Sequence, residues 1–168
     1  CGYEPEFIKI KNMAVGSSLT LENPPNKKYK GESSYALING MGGTINYQDK
    51  SWQGFEAEDL IAIIDLGSAK TINAVEVRFL QSQVFWIFLP YHIQIEHSSD
   101  GKNFELIYED FPSNNFSFEQ KIISYKANLG PLESRFIRVK GYNIDQCPDY
   151  HPGAGGPSWI FSDEIIIN

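Results

Sequence analysis

The residues best suited to hold a metal ion lie around a Gly-rich turn at residues 40–43. Asn39 offers an amide oxygen before the turn, Thr44 offers a hydroxyl and a carbonyl oxygen after it, and Glu164 offers a carboxylate from the end of the chain. Calcium takes about six to eight oxygen ligands of these kinds, and glycine allows the backbone to approach an ion closely. The turn is interpreted as a calcium-binding loop; the alternative is a tight turn whose glycines only satisfy backbone geometry.

Aromatic residues are concentrated in three segments predicted as loops. A sugar has apolar C–H faces and a ring of hydroxyls, so its site needs an exposed aromatic plate beside hydrogen-bonding groups. The candidate ligand contacts are Tyr47, Trp52, Phe55, Trp86, Tyr150 and His151, with Gln81 and Arg78 as hydrogen-bonding neighbours. The alternative is that aromatic residues fill the core, as we expect for Trp159 and Phe161, or that residues 85–89 pack against a neighbouring domain.

The acidic residues do not form a recognisable catalytic set. Glycosidases need two carboxylates that face each other across a cleft, and Asp59, Asp65, Asp100 and Asp163 are explained more simply as strand ends, turns or cation ligands. The sequence has no His/Cys spacing typical of a zinc site and no nucleophile-elbow motif. We therefore expect a binding domain and not an enzyme.

The composition predicts a single soluble domain with an acidic surface. The chain has 168 residues and a net charge of −7, which disfavours binding to nucleic acid or to an anionic membrane surface. It has no run of about 18 apolar residues, so no membrane insertion is expected. Lys27, Lys28 and Lys30 are interpreted as a solvated face. We expect a monomer.

Short apolar and alternating segments predict an antiparallel β-sandwich. Residues 60–64 form a continuous apolar run, which predicts a strand buried on both faces, and residues 71–80 alternate, which predicts a half-buried strand. Other strands are predicted at residues 15–22, 91–97, 104–108, 122–125, 135–139 and 164–167, with an Asp-Gly hairpin turn at residues 100–101. Many short strands separated by turn signals predict an all-β jelly roll. Residues 1–11 are assigned to a lead-in segment and residues 12–168 to a single domain.

The chain has two cysteines, Cys1 and Cys147. They permit one disulfide, but two cysteines do not make the framework of a disulfide-stabilised domain. Cys1 is interpreted either as the lipid-bearing cysteine of a bacterial lipoprotein or as the boundary of an excised fragment.

A series of short motifs, in this order, resembles the discoidin-like domain family. This family is also called coagulation factor 5/8 type C, overlaps the family 32 carbohydrate-binding modules and has a galactose-binding-domain-like sandwich. The motifs are ALING at residues 36–40, Thr44, IDLG at 64–67, SDG at 99–101 and DEI at 163–165. A narrower resemblance is to the C-terminal domain of Bacteroides-type family 20 β-hexosaminidases (chitobiases), through residues 51–56, 86–88, 147–156 and 159–161.

The resemblance implies a particular set of calcium ligands. They are the carbonyl oxygens of Ala36, Met41 and Asp163, the side chains of Asn39 and Glu164, and both oxygens of Thr44. Related domains commonly carry Asp where Asn39 stands, and we expect the loss of that charge to weaken calcium binding.

The resemblance also implies a function. It indicates a non-catalytic carbohydrate-binding module attached to a catalytic domain, in a secreted, periplasmic or cell-surface bacterial hydrolase of the β-N-acetylhexosaminidase type. The implied ligand is a glycan with galactose or N-acetylhexosamine residues, bound by loops at one end of the sandwich. Two alternatives are a structural spacer that packs on the hydrolase and a protein-binding discoidin domain.

Overall fold

The computed structural model describes residues 8–168, which fold mainly into antiparallel β-strands. The strands are β1 (Ile8–Lys9), β2 (Ser18–Leu21), β3 (Met41–Gly42), β4 (Gln53–Glu56), β5 (Leu60–Gln81), β6 (His92–Ser98), β7 (Glu105–Asp110), β8 (Lys121–Tyr142) and β9 (Trp159–Ile167). Short 3-10 helices occur at Lys27–Tyr29, Ala36–Ile38 and Gln83–Phe85. The predicted all-β sandwich is confirmed.

The long strands β5 and β8 contribute to both layers of the sandwich. They pair from Leu60 opposite Gly141 to Gln81 opposite Lys121, and two register shifts interrupt the ladder. The first half of β5 pairs with β2, and the second half of β8 pairs with β6, which pairs with β7. The second half of β5 pairs with β9, which pairs with β4. The shifts bend the two strands from one layer into the other, as β-bulges do.

The sequence predicted four separate strands where β5 and β8 run. Gly67 has a φ of 84° and its N–H donates to Asp65 Oδ1 at 2.8 Å, so it forms a bulge within β5 and does not end it. Arg135 bonds to the same carboxylate at 2.8 and 3.0 Å across the bulge. The prediction that residues 60–64 are buried on both faces was also wrong, because Ile61 and Ile63 are only half-buried.

The core fills the space between the two layers. Its buried side chains come from alternate positions of the strands, including Leu60, Ala62, Ile64, Val75, Val77, Phe79, Ile93, Ile95, Ile137, Val139, Ile165 and Ile167. Residues 8–10, which the sequence assigned to the lead-in, contact the Gly-rich turn: β1 and β3 form a separate two-stranded sheet, and the N–H of Ile10 donates to the carbonyl of Gly40 at 2.8 Å.

The predicted disulfide and the predicted absence of membrane insertion can be compared with the described part of the chain. Cys1 lies outside the described residues, and so does the disulfide that the two cysteines would permit; Cys147 is buried and has no disulfide partner within residues 8–168. In the part of the chain that the structure describes, no helix has the length and apolar character needed to cross a membrane.

Candidate functional site

The Gly-rich turn is held against the last strand by two carboxylates. Glu164 Oε1 accepts hydrogen bonds from the backbone N–H of Gly40 at 2.8 Å and from Asn12 Nδ2 at 2.6 Å. Asp163 Oδ2 accepts a hydrogen bond from the backbone N–H of Gly43 at 2.7 Å. Both carboxylates are fully buried. The turn and β9 therefore form one packed unit, although they lie at opposite ends of the sequence.

The two carboxylates differ in how their charge is compensated. Burial raises the pKa of Glu164 to about 8 and the pKa of Asp163 to about 6. At Asp163 the Arg78 guanidinium opposes the shift, with Nη2 at 3.0 Å from Oδ2. Glu164 Oε2 is buried without a hydrogen-bond partner in the described part of the chain. A buried carboxylate oxygen without a partner is unfavourable, so a cation would be stabilised at this atom.

The other oxygens expected to bind calcium lie in a short segment with fixed geometry. The 3-10 helix Ala36–Ile38 is buried and leads directly into the turn. Asn39 Oδ1 accepts a hydrogen bond from the backbone N–H of Met41 at 3.0 Å. The carbonyl of Thr44 accepts one from Trp52 Nε1 at 2.9 Å. Two of the oxygens expected to bind calcium therefore already accept hydrogen bonds within the turn region.

A calcium ion at this turn would depend on neutral oxygen ligands. Among residues 8–168, no group of three or more His, Cys, Asp or Glu residues is arranged to hold a metal ion. Glu164 Oε2 is a buried carboxyl oxygen that has no hydrogen-bond partner among the described residues. Because calcium accepts carbonyl, amide and hydroxyl oxygens readily, the residues present fit calcium better than a transition metal.

Two of the aromatic residues expected to contact a sugar belong to the core. Trp52 is 1% exposed and packs among other buried apolar side chains, and Phe55 is fully buried. The backbone of Gly43 covers the indole so closely that a Cβ there would lie 2.6 Å from Trp52 Nε1. The expectation that Trp52 and Phe55 form an exposed plate was therefore wrong, because both rings point into the sandwich.

Gln81 and His151, expected as ligand contacts, are also buried. Gln81 Nε2 donates to the carbonyl of Glu119 at 3.1 Å. His151 Nδ1 accepts a hydrogen bond from the backbone N–H of Gly153 at 3.0 Å, so Nε2 carries the proton and donates to the carbonyl of Gln83 at 2.7 Å. Both side chains hold loops in place, and the expectation that they face a ligand was wrong.

Tyr47 is half-buried and lines a depression in the surface. Its ring centroid lies 4.6 Å from that of Phe85, a residue 44% exposed that the sequence did not point to as a ligand contact. The depression has a volume of about 450 Å³ and is lined by Ile45, Asn46, Tyr47, Gln48, Phe85 and Gln120. It combines two aromatic rings with three carboxamide groups, which are apolar and hydrogen-bonding groups of the kinds found in small-molecule sites.

Trp86 and Tyr150 remain exposed, as a ligand contact requires. Trp86 has a φ of 66°, in the left-handed region that bulky residues rarely adopt. Its indole rests on the Gly-rich loop: a Cβ at Gly153 or Gly156 would come within 2.5 or 2.6 Å of the ring. The hydroxyl of Tyr150 donates to the carbonyl of Asn114. The absence of a side chain at Gly153 and Gly156 therefore allows the Trp86 indole to pack against this loop.

Phe116 and Phe118 add an exposed aromatic surface that the sequence analysis missed. They are 53% and 75% exposed, and Phe116 contacts Phe118 and Tyr150 with ring centroids 4.7 and 5.7 Å apart. The side chain of Gln83 fixes their loop through two backbone hydrogen bonds of 2.8 and 3.2 Å. The sequence feature that indicates this surface is the presence of two phenylalanines in a polar segment outside any predicted strand.

A Ser–His–Glu arrangement occurs on one sheet. His97 Nδ1 lies 3.2 Å from Ser134 Oγ, and His97 Nε2 lies 3.5 Å from Glu105. A catalytic serine must reach the substrate and give its proton to the base. Ser134 is buried, and its hydroxyl donates to the carbonyl of Ser98 at 3.1 Å. These three side chains therefore have a structural role.

Comparison with known proteins identifies the fold. The sequence matches no protein-family model and no curated protein. Chitosan-binding module 1 of a Paenibacillus sp. IK-5 chitosanase/glucanase is 13% identical, with a TM-score of 0.60 over 94% of this chain and 98% of that chain. The Clostridium perfringens module CpGH89CBM32-6 is 16% identical, with a TM-score of 0.56 over the same shares of the two chains.

The fold also occurs within larger proteins. The Ruminococcus gnavus GH29 fucosidase in complex with fucose is 15% identical, with a TM-score of 0.59 over 94% of this chain. This chain spans 26% of the length of that fucosidase. These similarities show that the chain has the antiparallel β-sandwich fold of carbohydrate-binding modules. Because one fold carries many functions, the function has to be argued from the site.

Proposed function

We propose that this chain is a non-catalytic carbohydrate-binding module and that the depression beside Tyr47 and Phe85 is its ligand site. The observation that carries the proposal is the lining of the depression, in which these two rings lie beside the carboxamides of Asn46, Gln48 and Gln120. The rings offer apolar surface to the C–H face of a sugar, and the carboxamides can donate to and accept from its hydroxyls.

The proposed partner in the full-length protein is the catalytic domain of a glycoside hydrolase. A linked module raises the local concentration of substrate at the catalytic domain. The chitosan-binding module described above comes from a chitosanase/glucanase, and the fucosidase contains this fold as part of its chain. The sequence resemblance to family 20 enzymes favours a parent of the β-N-acetylhexosaminidase type, outside the cytoplasm, and a glycan with galactose or N-acetylhexosamine residues.

Calcium is the proposed structural cofactor. The buried and unpartnered Oε2 of Glu164, as seen in the described residues, supports it. The ion would add positive charge beside this carboxylate and tie β9 to the Gly-rich turn. Its proposed ligands are the carbonyls of Ala36, Met41 and Asp163, the side chains of Asn39 and Glu164, and both oxygens of Thr44.

Calorimetry with N-acetylglucosamine, N-acetylgalactosamine and galactose tests the binding proposal. We expect binding of at least one sugar at millimolar concentration. Tyr47→Ala and Phe85→Ala should each lower the affinity for that sugar about tenfold or more, which corresponds to about 1.4 kcal/mol. The matched control is Tyr91→Ala, which removes a half-exposed aromatic ring that does not line the depression. Equal losses in all three variants, or no binding of any sugar, would contradict the proposal.

A second candidate function is a spacer or protein-binding domain. The exposed apolar side chains that favour it are Val84, Trp86, Phe116, Phe118 and Tyr150. Residues 86–88 do not form the apolar patch by themselves, because Ile87 and Phe88 are buried. Large exposed apolar patches often mark contacts with another protein or domain. Slower amide exchange at residues 113–118 in the full-length protein than in this chain alone would favour the spacer.

A further inference from the structure

Four lysines line one cleft of this acidic protein. The cleft has a volume of about 330 Å³, and its lining includes Lys27, Lys28, Lys30 and Lys50 together with Tyr29 and Gln48. All four lysines are exposed. The lining also includes Glu32 and Asp49, so the cleft carries a formal charge of 4 − 2 = +2, whereas the whole chain carries −7.

These lysines differ from the arginines in their lack of partners. Within residues 8–168, none of the four lysines forms an ion pair, whereas each arginine of the chain does: Arg78 with Asp163, Arg135 with Asp65, and Arg138 with Glu96. Asp49, which precedes Lys50 in the sequence, is buried and accepts a hydrogen bond from the backbone N–H of Thr44 at 3.0 Å. Its charge is therefore directed into the protein. Like charges collected in one cleft create a positive potential that attracts an anion.

The lysine cleft lies directly beside the aromatic depression. Gln48 lines both of them. Tyr29, in the wall of the cleft, contacts Tyr47 edge to face, with ring centroids 5.8 Å apart. A glycan chain with one sugar ring on Tyr47 and Phe85 is therefore close enough to place a neighbouring group at the lysine cleft.

We infer that the ligand of this module is an acidic polysaccharide whose carboxylate or sulfate groups lie among Lys27, Lys28, Lys30 and Lys50. The inference rests on the proposed function, because a neighbouring sugar ring must contact the aromatic depression. An ammonium group is a compact charge with three rotatable donors, so it can donate hydrogen bonds to either a carboxylate or a sulfate ester. The adjoining depression, whose rings and carboxamides suit a sugar ring, favours a glycan over other polyanions.

Calorimetry with tetrasaccharides of different charge tests the inference. The probes are N-acetylated chitotetraose, which is neutral, an unsulfated chondroitin tetrasaccharide, which carries carboxylates, and a chondroitin 4-sulfate tetrasaccharide, which adds sulfates. We expect at least one acidic tetrasaccharide to bind about tenfold or more tightly than chitotetraose at low ionic strength, and the advantage to shrink as salt is added. Whether unsulfated chondroitin or only the sulfated tetrasaccharide gains affinity distinguishes the two anionic groups.

A pair of double variants isolates the cleft. Lys28→Gln with Lys50→Gln removes two charges from the lining, and Lys102→Gln with Lys126→Gln removes two exposed charges elsewhere. Exposed charge pairs contribute about 0.2–1 kcal/mol each. We therefore expect the cleft variant to bind the acidic tetrasaccharide about two- to thirtyfold more weakly and to bind chitotetraose with unchanged affinity. The control should change neither affinity by more than about twofold.

The outcomes separate this inference from the proposed function. If chitotetraose binds through Phe85 and the acidic probes gain nothing, the module binds sugars but the inference is wrong. Equal losses in the two double variants, or competition by inorganic polyphosphate as strong as by the acidic tetrasaccharide, would also overturn it, since both indicate non-specific attraction. If no sugar binds, neutral or acidic, the proposed function fails and the inference fails with it.

Discussion

Glu164 Oε1 accepts a hydrogen bond from the backbone N–H of Gly40 at 2.8 Å, across 124 residues of sequence. This bond joins the last strand of the sandwich to the Gly-rich turn near its beginning. The second oxygen of the same carboxylate is buried and lacks a partner in the described chain. One oxygen therefore ties the two ends of the chain together, and the unpartnered oxygen is the observation that supports the proposed calcium site.

Calcium should raise the melting temperature of this protein. A ligand that binds only the native state stabilises it by about 2.7 kcal/mol at a concentration one hundred times its Kd. Glu164→Gln should abolish the calcium-dependent increase, whereas Glu105→Gln, an exposed carboxylate on β7, should retain it. Differential scanning calorimetry with and without calcium measures both. A melting temperature that calcium does not change in the wild type would contradict the calcium proposal.

Phe85 and Phe55 should affect binding and stability in opposite ways. Phe85 is 44% exposed, so Phe85→Ala should lower sugar affinity and change the free energy of unfolding by less than about 1 kcal/mol. Phe55 is fully buried, so Phe55→Leu should lower the free energy of unfolding by about 1–2 kcal/mol and leave affinity unchanged. Urea denaturation and calorimetry on the same samples provide the two measurements. Loss of affinity in Phe55→Leu would restore that residue as a ligand contact.

Gly153→Ala should displace Trp86. The added Cβ would lie 2.5 Å from the indole, so the ring must move or the loop must open. We expect a destabilisation of about 1–3 kcal/mol, the usual cost of overpacking, and a change in tryptophan fluorescence. Gly130→Ala is the matched control, because a Cβ there meets no atom within 4 Å. Identical spectra and stabilities for the two variants would show that Trp86 is not held by this loop.

Asn143→Ala should be strongly destabilising. Asn143 is buried, and its Nδ2 donates to the carbonyls of Phe55 and Glu58 at 3.2 and 3.1 Å, while Oδ1 accepts from the hydroxyl of Ser158 at 2.6 Å. Removing the side chain leaves several buried polar groups without partners, at about 1–3 kcal/mol for each. Urea denaturation should show a loss of at least about 2 kcal/mol. Asn128→Ala, at an exposed position of β8, should change stability little.

The hairpin turn between β6 and β7 should make the protein sensitive to acid. The backbone N–H groups of Asn103 and Lys102 hold the pKa of Asp100 well below its usual range. A carboxyl whose folded pKa is lowered stabilises the protein above its unfolded pKa of about 3.9, and this stability is lost as the pH falls below that value. Asp100→Asn should therefore be less stable than wild type at neutral pH, and the difference should shrink below about pH 4. Thermal unfolding measured from pH 7 to about pH 2 checks this; a constant difference would contradict it.

The local sequence was sufficient to predict most of the fold. Alternation at residues 71–80 and the Asp-Gly turn at residues 100–101 correspond to part of β5 and to the β6–β7 hairpin. The continuity of β5 and β8 could not be predicted, because Gly67 reads as a strand end in the sequence and acts as a bulge once the partner strand is in place. The continuity of β5 and β8 depends on pairing between strands that are distant in the sequence.

The candidate site was less predictable, because periodicity tells which side chains share a face and not which face is covered. Trp52 and Phe85 both belong to aromatic segments, yet Trp52 is buried and Phe85 is exposed. Four lysines from two segments meet in one cleft only because the chain folds back on itself. The sequence by itself determined the β-rich architecture and the oxygen-rich turn, since both depend on local residue types. Only the tertiary structure decided which aromatic rings and which charges face solvent together, because that depends on contacts between residues far apart in the chain.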